Sequence, residues 1–257
     1  MSPDTADPVF RRPLGHLELG FYWDVVHNGV AITSNHIELE ADAGCENELF
    51  AIENVERAWL RMKQRFPLLG ASIEELPGAE KVEFVLRESA LYTLRPGELR
   101  YLNDLHSADA VAAFAEKLRN GPPVLDSEFL SRVWFGPQKD APRRWHIFIP
   151  VVHYITDGIA NATIVRELCQ ELSSLSKSAK IDAIPLAIRL QTVLPTEVHT
   201  PSAKLSLPHR RWRLAIAKVI RSLRQEKMTV RPICHYLCIQ PAYLSLSGRS
   251  HPTNASS

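Results

Sequence analysis

The chain has 257 residues, of which 45% are hydrophobic and 23% charged, and a formal net charge of +1. These values are typical of a globular protein with one large domain or two small ones. The longest apolar run falls short of the roughly 20 residues that span a bilayer, and residues 1–8 lack the features of a signal peptide. The four cysteines form no CxxC pair and no zinc-like spacing: Cys45, Cys169, Cys234 and Cys238. We therefore expect a reduced, cytoplasmic protein without a metal site.

The first half of the chain alternates strand and helix patterns after a lead, residues 1–13, that we predict to be disordered. Strands are predicted over 30–40 and 81–87, and helices over 46–65 and 107–120. In the second helix, Ser107 is the expected N-cap and Gly121 follows the end. The apolar positions expected to face inward in the first strand and the first helix are Val30, Ile32, Ile37, Leu39, Leu49, Ile52, Val55, Trp59 and Met62.

The second half begins with two predicted strands, 128–135 and 145–152, joined by a polar loop. The second strand is almost entirely apolar, which indicates a central position in a sheet. A helix starts at Asp157, and its expected buried face is Ile159, Ala162, Ile164, Val165, Leu168, Cys169 and Leu172. Residues 181–208 contain four prolines and are predicted to be a linker. Residues 229–257 show no period and are predicted to be an irregular tail.

Positive charge is concentrated near the end of the chain. Residues 204–231 contain nine Lys/Arg and one acid, Glu226, whereas the rest has 21 basic and 28 acidic residues. Residues 209–228 predict a basic amphipathic helix with an apolar face that includes Trp212 and Ile216. This pattern permits binding to a membrane surface or to nucleic acid, although no nucleic-acid motif accompanies it. We favour the alternative that the apolar face packs on a lobe that this sequence lacks, with the basic side in solvent.

The segment with the clearest chemical meaning follows the apolar strand at 145–152. His153, Asp157 and Gly158 form the pattern His-x-x-x-Asp-Gly, with the histidine at the strand exit and the aspartate at the helix start. Histidine titrates nearest to neutral pH and is therefore suited to act as a general base. The alternatives are a histidine satisfied within the core or a loop, and an aspartate that caps the helix. A cap at Asp157 would also hold the loop and orient the imidazole.

These segments resemble the HxxxDG acyltransferases with the chloramphenicol-acetyltransferase-like fold, such as condensation domains of peptide synthetases, plant alcohol acyltransferases and trichothecene acetyltransferases. The resemblance covers roughly residues 10–228 and includes the ending Phe66-Pro67-Leu68-Leu69 of the first helix and the opening Arg12-Pro13-Leu14-Gly15 with Glu18 and Phe21. It implies an α+β fold in which helices flank a mixed or antiparallel sheet. Residues 14–180 would form the N-terminal lobe, and the second lobe would be incomplete.

The resemblance also implies roles for the motif. His153 would deprotonate a hydroxyl or an amine, which then attacks an acyl thioester. Asp157 would be structural, through an ion pair with Arg132 or another arginine, and Gly158 would leave room for a substrate channel. Acyl-CoA would be a co-substrate, with no permanently bound cofactor and no metal. The residues that bind the thioester are not identified by the motif.

Three departures from the family pattern refine these expectations. Val152 stands where many condensation domains have a first histidine, which favours the acetyltransferase branches. Gly70 and Ser72 replace arginines that many members carry, and no DFGWG-type motif is present. The missing half of the cleft would then be supplied by a homodimer or be absent. Residues 229–257 would be either a translated intron or an ordinary disordered terminus.

The leading hypothesis is an acyltransferase of secondary metabolism that moves an acyl group, acetyl above all, from CoA or a carrier to a small molecule. One alternative is a non-catalytic half of such an enzyme. Another is a thioester hydrolase, in which His153 activates water.

Overall fold

The computed structural model describes residues 7–42, 44–76, 81–174, 189–199 and 205–227, and the chain divides into two units, Met1–Ala203 and Lys204–Ser257. The described strands of the first unit are Val9–Pro13 (β1), Ile32–Glu40 (β2), Ser72–Leu76 (β3), Lys81–Arg87 (β4), Leu99–Tyr101 (β5), Val133–Pro137 (β6) and Arg144–Val152 (β7). Its described helices are His16–Asn28 (α1), Glu46–Leu49 (α2), Ile52–Arg65 (α3), Ala108–Asn120 (α4), Gly158–Ser173 (α5) and Thr196–His199 (α6). The second unit contains Leu207–Lys227 (α7).

Strand β7 is one of the two inner strands of a four-stranded sheet with the order β2-β7-β6-β5. It pairs antiparallel with β2 and β6, and β5 pairs parallel with β6. One set of its side chains, including Ile147 and Ile149, joins the core cluster with α3 and α5, and Phe148 packs with α4 residues in another cluster. Burial on both faces explains the apolar run of this strand. The predicted central position, the hairpin of 128–152 and the α+β class with a mixed sheet flanked by helices are confirmed.

A second sheet, with the order β1-β4-β3, contains a segment that the sequence was expected to leave disordered. Val9–Pro13 pairs antiparallel with β4, so the predicted lead over 1–13 is wrong for these residues; residues 1–6 lie outside the described part. Arg12 explains the order, because its guanidinium is buried and donates to both carboxylate oxygens of Glu18, at 2.6 and 2.8 Å. Glu18 also accepts from the Gly15 backbone N–H at 2.6 Å, at the start of α1. A buried bidentate pair with a third hydrogen bond holds strand and helix together.

The predicted helix over 46–65 is divided into α2 and α3. Phe50 lies between them, is 2% exposed and stacks on Trp145 with the ring centroids 4.5 Å apart. Because the Phe50 ring is buried in the core, the chain turns at this residue and the helix is interrupted. Val55, Trp59 and Met62 are buried as expected, but Ile52 is 46% exposed.

Two predicted segments agree closely with the structure. Strand 81–87 is β4, and helix 107–120 is α4, where the Ser107 hydroxyl accepts from the Ala110 N–H at 3.3 Å and Gly121 follows the last turn.

Two predicted strands start later than expected. Strand 30–40 starts at Ile32 and leaves Val30 54% exposed, because Gly29 and Ala31, both at positive φ, form the turn into β2. The strand expected over 128–135 starts only at Val133, after a turn capped by Asp126.

The predicted linker over 181–208 is partly packed in the first unit. The Arg189 guanidinium donates to the Gln64 carbonyl at 2.7 Å, and the Leu17 N–H donates to the Glu197 carboxylate at 2.7 Å. Residues 189–199 of this segment therefore contact the first unit, whereas 181–188 and 200–204 lie outside the described part. The predicted basic helix over 209–228 is confirmed as α7, whereas the tail over 229–257 lies outside the described residues. None of the helices described is both long and apolar enough to cross a membrane.

Candidate functional site

His153 lies at the end of β7, in a short 3-10 turn over His153–Ile155 that contacts α1. Its backbone N–H donates to the carbonyl of Ala31 at 2.8 Å, directly beside the pair Ile32 and Val152 at the end of the β2–β7 ladder. Ala31 has a φ of 61°, an uncommon conformation for a residue with a side chain. The backbone of the half-buried histidine is thus held in place independently of its side-chain contacts.

The protonation pattern of the imidazole follows from one hydrogen bond. The Nδ1 atom of His153 lies 2.8 Å from the backbone oxygen of Thr156. Because a carbonyl oxygen only accepts, Nδ1 carries the hydrogen and donates it. In the neutral ring, Nε2 therefore keeps a free lone pair, as a general base requires. The Phe21 ring of α1 stacks on the imidazole, with centroids 4.4 Å apart and 4° between the planes.

Asp157 acts as the N-cap of α5. One carboxylate oxygen accepts from the Ala160 N–H at 2.7 Å, so the capping alternative is confirmed. The residue is exposed, and within the described ranges it forms no ion pair. The expected pair with Arg132 is not formed, because Arg132 instead bonds Asp126 at 3.3 Å and lies over the Phe129 ring. The ion pair with Asp126 holds the Arg132 side chain at this turn, and Arg132 therefore does not pair with Asp157.

A polar network that the sequence pattern did not indicate holds the motif loop against β2. The Thr156 hydroxyl donates to the side-chain oxygen of Asn161 at 3.0 Å, and the same oxygen accepts from the Asn35 amide at 3.1 Å. The Asn161 amide donates to the Thr33 hydroxyl at 3.3 Å, which donates in turn to the Val151 carbonyl at 3.0 Å. Since Asn161 is 9% exposed, these bonds satisfy a buried amide. The network positions Thr156, whose carbonyl orients His153.

The start of α5 lies beside open space. A Cβ atom built on Gly158 would have no neighbour within 4 Å, and the next residue, Ile159, is 81% exposed. The expected burial of Ile159 is therefore wrong, and Ala162, one turn further along α5, is also exposed. The buried positions of this helix include Ile164, Leu168 and Leu172, as predicted. The amphipathic face begins only after the first turn, and that first turn presents an apolar side chain next to the motif.

A separate pair of histidines lies on the sheet. The Nε2 atom of His36 is 3.0 Å from the Nδ1 atom of His146, whose Nε2 lies 3.0 Å from the side-chain oxygen of Gln138. Because that amide oxygen accepts, His146 carries its hydrogen on Nε2, and His36 donates to Nδ1. Burial, followed by the charges of His36 and Arg144, lowers the pKa of His146 to about 4. Among the described residues, no group of three or more His, Cys, Asp or Glu side chains is arranged to hold a metal ion.

Comparison with solved structures identifies the fold. The starter condensation domain of rhizomide synthetase RzmA is 13% identical with a TM-score of 0.53, over 72% of this chain and 43% of that one. The trichothecene 15-O-acetyltransferase TRI3 from Fusarium sporotrichioides is also 13% identical, with a TM-score of 0.51, over 78% of this chain and 42% of that one. The sequence matches no family model and no curated protein.

The chain therefore spans less than half the length of the structures that it matches. At this identity the comparison concerns the fold alone, and that fold agrees with the one expected from the motif and its flanking segments. The chain has the chloramphenicol-acetyltransferase-like fold of condensation domains and trichothecene acetyltransferases, over the N-terminal part of those proteins.

Proposed function

We propose that this protein takes part in acyl transfer from a thioester to a hydroxyl or amine, with His153 as the general base. The observation that carries the proposal is the hydrogen bond from His153 Nδ1 to the Thr156 carbonyl, because it leaves Nε2 available to accept a proton. The fold shared with two acyl-transferring proteins supports the same reaction class.

In the proposed reaction, His153 alone transfers the proton that the acceptor loses and the leaving thiolate gains. Nε2 of His153 takes the proton of the acceptor hydroxyl or amine while the acceptor atom attacks the thioester carbonyl carbon. The resulting tetrahedral intermediate collapses as the carbon–sulfur bond breaks, and the imidazolium returns the proton to the thiolate. The Thr156 carbonyl stabilises the imidazolium throughout, because it continues to accept from Nδ1–H in the charged state. Asp157 fixes the start of α5 and does not exchange a proton in this scheme.

We propose CoA or a carrier-bound pantetheine as the donor, acetyl as the acyl group and a small molecule as the acceptor. Nothing need be bound permanently, since both substrates enter and leave in each turnover. The cytoplasm remains the predicted location.

The test is thiol release from acetyl-CoA and from acetyl-pantetheine by the purified full chain, with panels of alcohols and amines. The variants are His153→Ala and His153→Gln, and the matched control is His106→Ala, at an exposed histidine whose loss removes a ring far along the chain from the motif. We expect acceptor-dependent release that disappears in both His153 variants and persists in the control. Loss of a general base lowers kcat by about 10²–10⁴-fold.

Two other results would change the conclusion. Release that needs His153 but is independent of acceptor would assign the protein as a thioester hydrolase. A chain that is folded by circular dichroism and releases no thiol from either donor would contradict catalysis by this chain, leaving the non-catalytic half as the interpretation.

A further inference from the structure

Helix α7, in the second unit, presents a contiguous apolar face to solvent. Trp212, Ile216, Val219 and Ile220 recur at three- and four-residue spacing and therefore lie on one side of the helix. Their exposed fractions are 69%, 51%, 58% and 44%. Single exposed apolar residues are ordinary, but a stripe of four over two turns marks a surface that binds something.

The sides of the same helix are strongly basic. Residues 207–227 contain seven Lys/Arg and one acid, Glu226. Arg211, Arg213 and Lys218 are exposed and lie outside the apolar stripe by the helical period. A helix with Trp and aliphatic residues on one side and basic residues around it has the composition of helices that lie in the plane of a bilayer interface.

We infer that α7 docks on the surface of an anionic lipid bilayer, with its apolar face among the acyl chains and its basic residues at the headgroups. The charge of the helix selects this occupant. Pairing with a second copy, or packing on another lobe, would cover the apolar stripe but would leave the basic residues, which the helical period places outside it, without an anionic partner. Nucleic acid would satisfy the arginines but would leave Trp212 and its apolar neighbours in water. A bilayer covers both sides at once, and indole rings prefer its interface.

The experiment measures binding of the full chain to vesicles of phosphatidylcholine, with or without about a third phosphatidylglycerol. Co-sedimentation gives the partition coefficient. Tryptophan emission, measured with Trp23 replaced by Phe in every variant, reports Trp212, since Trp59, Trp134 and Trp145 are buried in the first unit. We expect binding only to the anionic vesicles, a blue shift of the emission, and release by high salt. Each basic residue near such a surface contributes about fivefold to partitioning, so Arg211→Gln/Arg213→Gln/Lys218→Gln should weaken binding by about a hundredfold.

Two variants complete the design. Ile216→Asp/Val219→Asp should abolish the blue shift and most of the binding, because it places charges in the apolar face. The matched control, Arg100→Gln/Lys117→Gln/Lys139→Gln, removes the same charge from exposed positions of the first unit and should bind as the unmodified chain does. All variants are exposed, so circular dichroism should show unchanged folding.

Three outcomes would overturn the inference. The first is equal loss of binding in the control triple variant, which would mean nonspecific charge attraction. The second is a chain that ignores vesicles but sediments as a dimer that Ile216→Asp/Val219→Asp dissociates, which would assign the face to a second copy. The third is salt-sensitive binding to a duplex DNA or RNA probe without any to vesicles, which would assign the basic residues to nucleic acid.

Discussion

The Phe21 ring lies parallel to the His153 imidazole, with 4.4 Å between centroids and 4° between planes. The hydrogen bond from Nδ1 to the Thr156 carbonyl fixes one atom of the imidazole. The stack with Phe21 restricts the orientation of the ring plane. Phe21 belongs to α1, whose first turn is held by the buried pair of Arg12 and Glu18. The opening segment of the chain thus contributes to the orientation of a side chain more than 130 positions later in the sequence.

Replacement of Phe21 should change the environment and orientation of His153. In Phe21→Leu, an apolar side chain remains but the stacked plane is lost, whereas Phe21→Tyr keeps the plane. We expect the ring protons of His153 to move downfield in the NMR spectrum of the leucine variant, because a stacked aromatic ring shields them. If His153 is the base of the proposed reaction, kcat should fall about tenfold with little change in KM, as expected for a misplaced catalytic group.

The matched control for Phe21 is on the same helix. Trp23 stacks on His27 with centroids 5.1 Å apart and 10° between planes, so Trp23→Leu removes a similar stack that does not include His153. This variant should leave the His153 resonances and kcat unchanged. Equal effects of Trp23→Leu and Phe21→Leu would show that the histidine responds to the stability of α1 rather than to the stack.

Asn161 should be the most sensitive polar residue near the motif. Asn161→Ala removes the shared acceptor of the Thr156 hydroxyl and the Asn35 amide, which keep only the longer contacts to the carbonyls of Asp157 at 3.3 Å and Ile149 at 3.4 Å. An unsatisfied buried group costs about 1–3 kcal/mol, so the free energy of unfolding should fall by that amount in urea titrations. Asn103→Ala, at an exposed asparagine, is the control and should be neutral. A neutral result for Asn161→Ala would mean that water replaces the amide and that the network does not hold the loop.

The role of Asp157 can be separated into capping and charge. Asp157→Ala removes the acceptor for the Ala160 N–H and should lower the free energy of unfolding by about 1 kcal/mol. Asp157→Asn keeps a capping oxygen, so it should cost only a few tenths of a kcal/mol. Ser107→Ala removes the corresponding cap of α4 and should cost about as much as Asp157→Ala. If Asp157→Asn proved as costly as the alanine variant, an ion pair rather than the cap would be the stabilising interaction.

Local sequence signals predicted the segments whose structure depends on local chemistry. Ser107 and Gly121 mark the ends of α4 because a cap and a terminating glycine act within one turn. The break at Phe50 and the strand at Val9–Pro13 were missed because each depends on a distant partner, Trp145 in one case and β4 in the other. The same distinction holds at the site: His153 was readable from its motif, whereas Phe21 and Asn161 act through contacts that only the folded chain creates.

The free energy of unfolding should depend on pH through His146. This residue is 1% exposed, and burial is the main cause that lowers its pKa from 6.5 to about 4 in the folded state. As the pH falls, His146 therefore binds a proton near pH 6.5 in the unfolded chain but only near pH 4 in the folded chain. The contribution of neutral His146 to the free energy of unfolding is fully present above pH 6.5. It should be lost as the pH falls from 6.5 to about 4, with a slope of up to about 1.4 kcal/mol per pH unit.

Burial also lowers the pKa of His36, so this neighbour should add to the slope in the same direction. The measurement is urea unfolding at a series of pH values between 4 and 7. His146→Gln should flatten the slope, since glutamine can fill the space between His36 and Gln138 without titrating. The control His106→Gln removes an exposed histidine and should leave the slope as it is. An unchanged slope in His146→Gln would show that other groups take up the acid-linked proton, because the buried imidazole would then contribute nothing to the difference between folded and unfolded chains.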